Sequence, residues 1–256
     1  MIRLVGLTKR YGKTLAVDHL DLEVPPGEIF GFIGPNGAGK TTTIRMAAGV
    51  LGPTAGEVFI DGIPMAGRPE EAKRVIGFIP DRPFLYEKLT GMEFLRFVAD
   101  LYGCGDGDFR QRAEGLLIRF SLYDWADHLI EAYSHGMRQR LVIASALLHE
   151  PKLIIVDEPM VGLDPAGIRM VKDLMRGLAG RGTTIFMSTH TLQIAEDLCD
   201  RIGIIHRGRL IALGTTGDLK GTALLQDGDL EEVFLRLTGE AEPPAGDGPP
   251  GGKGRP

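Results

Sequence analysis

The sequence predicts an α/β fold: a mostly parallel sheet covered by helices, with an N-terminal antiparallel β subdomain and a helical insertion. Three observations carry this. Short apolar runs bounded by glycine, proline or charge recur along the chain and read as buried strands. Helical patterns separate most of them, the alternation expected of parallel strands joined by crossover helices. One central stretch shows helical periodicity with no strand signal. At 256 residues and 43% hydrophobic content, the chain can fill a sizeable core.

In chain order, "LVGLTKRYGKTLAVDHLDLEV" (Leu4 to Val24) alternates in short segments with turn residues, the pattern of an antiparallel sheet laid on one side. The buried strands then follow as "IFGFIG" (Ile29 to Gly34) and "VIGFIP" (Val75 to Pro80). From Pro83 onward "MEFLRFVADLYG" and "FRQRAEGLLIRF", separated by "GCGDGD", mark a helical subdomain inserted at about residues 83–137. Strands resume with "LIIVDE" (Leu153 to Glu158), "TIFMST" (Thr184 to Thr189) and "RIGIIH" (Arg201 to His206). Residues 239–256 hold five prolines and six glycines, too little apolar surface to offset the entropy of ordering, so a disordered tail is expected. No internal repeat is visible.

Composition narrows the classes of function. Lys and Arg number 29 against 34 Asp and Glu, a net charge of −5, which lacks the basic footprint of a general nucleic-acid binder. Cys104 and Cys199 stand far apart without a CxxC pattern, which points to neither a disulfide framework nor a zinc site. The N-terminus has no signal-peptide pattern, and runs such as "LVIASALL" fall short of the ~20 residues that span a bilayer. The chain therefore reads as cytoplasmic, with any membrane role exercised through a partner.

The strongest local signal is "GPNGAGKTT", Gly34 to Thr42, which fits G-x-x-x-x-G-K-T between a predicted strand and a predicted helix. Along Gly34-Pro35-Asn36-Gly37-Ala38-Gly39 the glycines let successive backbone N–H groups, of which Pro35 has none, turn toward one anion, aided by the helix N-terminus. Lys40 is placed to reach the β- and γ-phosphates of a nucleotide, and the Thr41 hydroxyl to join a Mg²⁺ shell, with Thr42 beside it. "LIIVDEP" supplies two carboxylates at a strand end, where open α/β sheets hold ligands. By itself such a pair is an ordinary solvated loop or helix cap. Beside the phosphate loop, Asp157 is suited to orienting Mg²⁺ through water, and Glu158 to orienting or deprotonating the attacking water.

Other positions stay open on residue type alone. His190 ends a strand and reads either as structural or as a γ-phosphate contact. Asp164, ahead of Pro165, is a helix N-cap in its plainest reading. Tyr11 is a turn aromatic or a stacking surface for a base. In "YSHGMRQR" a serine adjoins a histidine, yet adjacency in sequence does not make a nucleophile and base, and no G-x-S-x-G surrounds it. Ser134 reads instead as an N-cap whose hydroxyl and neighbouring N–H groups face an anion, with Gly136 permitting close approach and His135 a tolerated variant at an exposed turn. Phe94 and Phe97 fall on the buried stripe of "MEFLRFVADLY", whereas Phe84 and Tyr86 lie in the loop after Asp81 as candidates for contact with a partner's helix.

The order Tyr11, "GPNGAGKTT", "GFIPD", "YSHGMRQR", "LIIVDEP", "VGLDP" and "STH" resembles the ATP-binding subunit of an ABC transporter, over about residues 1–238. The resemblance implies a P-loop NTPase core. It makes Tyr11 the base-stacking residue, Asp81 a metal ligand in the glutamine loop, Ser134, Gly136 and Met137 part of the signature that contacts nucleotide, Asp164 part of the dimer-contact loop, and His190 the switch histidine. Lys40, Glu158 and His190 become the catalytic group, and Thr41, Asp81 and Asp157 the metal group. Implied cofactors are ATP and Mg²⁺. Implied partners are an integral membrane permease and a second ATPase subunit, identical or related, with no nucleic acid. "LEEVFLRLTGE" and "YSHGM" are most similar to members whose permease is a separate chain, often exporters, which places the protein on the cytoplasmic face of the membrane. A soluble ABC ATPase acting on nucleic acid or ribosomes is the rival reading; it usually shows fused ATPase units, a coiled-coil insertion or zinc-binding cysteines. A P-loop kinase or GTPase would lack "YSHGMRQR". The chain departs from the family at Asp81 in place of glutamine, at Tyr133, His135 and Met137 within L-S-G-G-Q, and at Val161 in place of a small residue.

Overall fold

The computed structural model describes residues 1–82, 84–222 and 230–238, so the expected disordered tail, Gly239 to Pro256, lies outside the described residues. In chain order the elements are β1 (Ile2–Tyr11), β2 (Thr14–Val24), β3 (Ile29–Ile33), α1 (Lys40–Ala47), β4 (Ala55–Ile60), β5 (Ile63–Pro64), α2 (Pro69–Arg74), β6 (Ile76–Ile79), α3 (Gly91–Tyr102), α4 (Asp106–Arg119), α5 (His135–Leu147), β7 (Leu153–Asp157), α6 (Pro165–Ala179), β8 (Thr184–Thr189), α7 (Leu192–Leu198), β9 (Arg201–His206), β10 (Arg209–Gly214), α8 (Thr216–Thr222) and α9 (Leu230–Thr238).

Six strands form the main sheet in the order β10-β9-β3-β8-β7-β6, parallel except for β10. Every residue of β3, β7 and β8 is buried, which is why these strands read as continuous apolar runs rather than alternating ones. Phe30, Phe32 and Phe186 pack ring to ring across β3 and β8 at centroid distances of 5.7 Å. The strands stop at Ile33, Ile79 and Asp157, one residue short of the expected ends, because Gly34, Pro80 and Glu158 already turn into loops. Those loops all leave the same edge of the sheet.

The second sheet is antiparallel, in the order β2-β1-β4-β5. The short segments expected near the N-terminus are two long strands. Register shifts between Leu4 and Leu7, Leu7 and Lys9, and Lys9 and Arg10 interrupt the alternation while pairing continues, so bulges rather than turns explain the broken pattern. Helix α1 lies between the sheets, and its Ile44, Met46 and Ala47 join Leu4, Leu20, Phe32 and Phe186 in one apolar cluster. β4, β5 and β10 were not legible as strands: each is half-exposed or very short, and none carries a continuous apolar run.

Between β6 and β7 the regular elements are helical among the described residues. Helix α3 starts at a capping box, with Glu93 N–H donating to Thr90 Oγ1 (3.1 Å) and Thr90 N–H donating to Glu93 Oε2 (2.8 Å). It ends at Gly103 in the left-handed region. Phe94 is buried as expected, but Phe97 is 39% exposed. The reason is a neighbour the periodicity does not reveal: Phe97 meets Tyr86 edge-on at 5.3 Å, and Tyr86 meets Phe84 in the same way at 5.4 Å, so three rings line the surface in a row.

Candidate functional site

The phosphate loop is a backbone cradle. Gly39 has φ of +111°, and a Cβ there would lie 2.5 Å from the Ala16 carbonyl oxygen, so only glycine fits the step into α1. Ala38 N–H donates to Pro35 O (3.2 Å), and the Gly208 N–H donates to Ala38 O (2.9 Å), which ties the loop to the β9–β10 turn. Ala38 itself is buried, leaving Asn36 and Gly37 outermost. Lys40 bends back across the cradle, its Nζ donating to Gly34 O (2.7 Å) and Pro35 O (3.2 Å). Burial pushes the Lys40 pKa below the ordinary lysine value, while the nearby carboxylates of Glu158 and Asp157 pull it upward. A buried cation on a glycine-rich loop at a helix N-terminus favours a multiply charged anion.

Strand order brings the remaining groups to this cradle. β8 lies between β3 and β7, so the segments following β3, β8, β7 and β6 leave neighbouring positions on one edge. Asp157 is 2% exposed and accepts a short hydrogen bond from Ser188 Oγ. Glu158 N–H donates to Ser188 O (3.3 Å) and to Ser188 Oγ (3.2 Å). These bonds hold Glu158 at φ +53°, a left-handed conformation that costs a non-glycine residue roughly 1–3 kcal/mol. Its Oε2 lies 2.9 Å from His190 Nδ1. A cavity of about 360 Å³ is lined by Ala16, Asn36, Gly37, Gly39, Lys40, Thr41, Thr42, Asp81, Glu158, Val161 and His190.

Other expected residues lie elsewhere. Ser134 caps α5, accepting from Met137 N–H (3.3 Å), and neither these two nor Gly136 line that cavity. Asp164 caps α6 by accepting from Gly167 N–H (2.8 Å), its plainest expected role. Tyr11, 48% exposed at the end of β1, lies off the cavity with Lys9 Nζ 5.4 Å from its ring centroid. Tyr133, in place of the family's leucine, is buried, and its hydroxyl donates to Trp125 O (2.6 Å), which anchors the segment ahead of Ser134. Sequence reasoning missed Ser188, although its spacing of two from His190 puts both on one side of an extended chain. It also missed Ala16, which arrives from the other sheet.

Asp81 lines both this cavity and a neighbouring one of about 520 Å³, shared with Phe84, Leu85, Glu87, His135, Arg138 and Gln139. A buried lysine on a glycine-rich loop, with the carboxylates of Asp81 and Glu158 and the His190 imidazole around one hollow, is the make-up of a site for a polyphosphate. The model of the ABC transporter family matches residues 17–161. The chain belongs to that family.

As an ABC transporter subunit it is an ATPase, and it binds ATP. The chain is 43% identical over 221 residues to the daunorubicin/doxorubicin resistance ATP-binding protein DrrA of Streptomyces peucetius, covering 86% of this chain and 67% of that one. It is also 43% identical over 212 residues to the bacitracin transport ATP-binding protein BcrA of Bacillus licheniformis, covering 82% and 68%. Among solved structures, an ATP-binding subunit of an ABC transporter superposes with a TM-score of 0.88 at 36% identity, covering 93% of this chain and 99% of that one. The cassette MJ0796, described as a dimer in a post-hydrolysis state bound to ADP and Pi, gives 0.74 at 28% identity, covering 84% and 98%. Among the described residues, no helix is long and apolar enough to cross a membrane.

Proposed function

We propose that this ATPase powers an exporter, working in pairs beneath a separately encoded permease on the cytoplasmic face of the membrane. The single observation that carries the reading is the division of the site. Lys40, Glu158, His190 and Asp81 share one cavity, whereas Ser134 and Gly136 do not line it, which supports their serving the nucleotide of a second subunit. Relatives named for daunorubicin/doxorubicin resistance and bacitracin transport support export, and the dimeric MJ0796 cassette supports pairing. The net charge of −5 and these relatives disfavour a soluble ATPase working on nucleic acid.

In this reading Lys40 and the N–H groups from Gly34 to Thr42 hold the β- and γ-phosphates, and Tyr11 stacks on the base. The Thr41 hydroxyl and the carboxylates of Asp157 and Asp81 would supply the hard oxygen donors that suit Mg²⁺; Thr41 and Asp81 line the cavity, and Asp157 is buried at the end of β7. Bound there, Mg²⁺ would neutralise charge on the phosphates. Glu158 orients the attacking water and accepts its proton, and His190, whose Nδ1 lies 2.9 Å from Glu158 Oε2 on the wall of the same cavity, contacts the γ-phosphate. Ser134, Gly136 and Met137 close over ATP bound to the opposite subunit, and Asp164 lies in the contact between subunits.

The test is reconstitution: the chain purified with its permease into inside-out vesicles should drive ATP-dependent uptake of an amphiphilic dye. Uptake that is unchanged when the chain is omitted, or chain that never co-purifies with an integral membrane protein, would remove the exporter reading.

A further inference from the structure

His135 is exposed at the first position of α5, and the family usually has glycine there. Its ring nevertheless has a specific neighbour. A Cβ built on Gly162 would lie 2.5 Å from His135 Nε2 and 2.8 Å from its Cδ2, so the ring occupies the space a side chain at 162 would need. Gly162 sits in the turn that runs from Glu158 to Asp164. That turn is tight: Val161 N–H donates to Glu158 O (3.3 Å) and Leu163 N–H to Met160 O (3.3 Å). Met160 is buried in the core below it, and Asp164 fixes its far end by capping α6. Its middle projects outward, with Val161 forming part of the wall of the phosphate cavity and the His135 ring against Gly162 beside it.

We propose that His135 is a positioning residue for hydrolysis: its ring, seated against Gly162, holds the Glu158–Asp164 turn in a fixed relation to the α5 N-terminus that carries Ser134. Close-packed contacts transmit displacement, since compressing them is costly and separating them forfeits dispersion contacts. A shift of the signature end of α5 is therefore passed directly to the segment that begins at Glu158. The family's glycine at this position has no side chain to do this. Gly162 in turn must lack a side chain for the ring to seat, and its φ of +76° independently favours glycine.

The inference rests on Glu158 as the group that activates water, and a double-mutant cycle separates the two claims. ATP turnover is measured on the full chain with its permease for the parent, His135→Ala, Gly162→Ala, the double variant and Glu158→Gln. Because either single substitution unseats the same contact, each should lower kcat about fivefold and move the KM for ATP less than about twofold. The double variant should fall no more than about twofold below the worse single one, where independent effects would put it about fivefold below that variant and about twenty-fivefold below the parent. Multiplying losses overturn the proposal, and so does coupling seen in Tm while kcat stays at the parental value. As a surface position, His135→Ala keeps the test decisive should Gly162→Ala fail to fold: an unchanged kcat there is a refutation. A Glu158→Gln chain as fast as the parent would instead sink the reading of the site itself.

Discussion

At the scale of single residues, Glu158 is distinguished by what holds it. A left-handed φ, two hydrogen bonds from its N–H to Ser188, and a carboxylate 2.9 Å from His190 fix its side chain at the edge of the phosphate cavity. Glu158→Gln keeps the shape and removes the proton acceptor, so ATP binding should stay within a few-fold while single-turnover hydrolysis falls about 10²–10⁴-fold. Lys40→Ala should instead weaken binding itself, since it removes the buried cation of the cradle; nucleotide affinity measured by filter binding distinguishes the two losses. Both residues were legible in the sequence because their motifs are linear: strand, glycine loop and lysine in one stretch, strand and carboxylates in another. Ser188 and the His135–Gly162 contact were not, since each depends on which strand or turn lies beside which. His135 read as a tolerated variant because Gly162, against which its ring lies, is far along the chain.

At the scale of elements, legibility followed burial. β3, β7 and β8 are covered on both faces and announce themselves as apolar runs, whereas β4 and β10 carry exposed side chains and resemble loop. The aromatic row above α3 divides the same way: Phe94 is core, but Phe84 (79% exposed), Tyr86 and Phe97 present edges to solvent. Replacing Phe84 and Tyr86 together by serine should cut capture of the permease in a pull-down several-fold and leave ATP affinity unchanged; equal capture would assign the row to another purpose. A pH effect belongs to the packing of α3 and α5 on β6. The His149 ring stacks on Tyr102 at 3.7 Å, and its Nε2–H donates to Ile76 O (3.0 Å) while Nδ1 has no partner among the described residues. Burial lowers the His149 pKa from its ordinary 6.5, against a smaller opposing effect of the bond to Ile76. The folded chain thus binds fewer protons than the unfolded one between these two values, and stability falls as pH drops through that window. Between pH ~7.5 and ~5.5 the parent should lose more Tm than His149→Phe, which keeps the stack and cannot titrate; parallel losses would clear His149 of the effect.

At the scale of the whole molecule, the question is where the nucleotide's second half comes from. Lys40, Thr41, Glu158 and His190 gather at one cavity, but Ser134 and Gly136 of the same chain do not line it, and α5 shares with Asp81 only the wall of the neighbouring cavity, through His135, Arg138 and Gln139, among the described residues. Across a symmetric pair, an α5 N-terminus would complete the site of its partner, and each site would draw on two chains. Lys40→Ala homodimers and Ser134→Arg homodimers should then both be inactive, because every site lacks one half. In the mixed dimer of the two variants both lesions meet in one site. The other site keeps an intact Lys40 loop from the Ser134→Arg chain and an intact signature from the Lys40→Ala chain. A signature acting within its own chain predicts the opposite, since each chain then carries one lesion in its own site and both sites stay broken. Mixed dimers isolated through two affinity tags should therefore hold one ATP per dimer and, if one site suffices for turnover, regain hydrolysis. Where the natural partner is a different chain, the same logic holds with one lesion placed in each. A verified mixed dimer that retains nucleotide no better than either homodimer would return Ser134 to the role it visibly fills, the cap of α5.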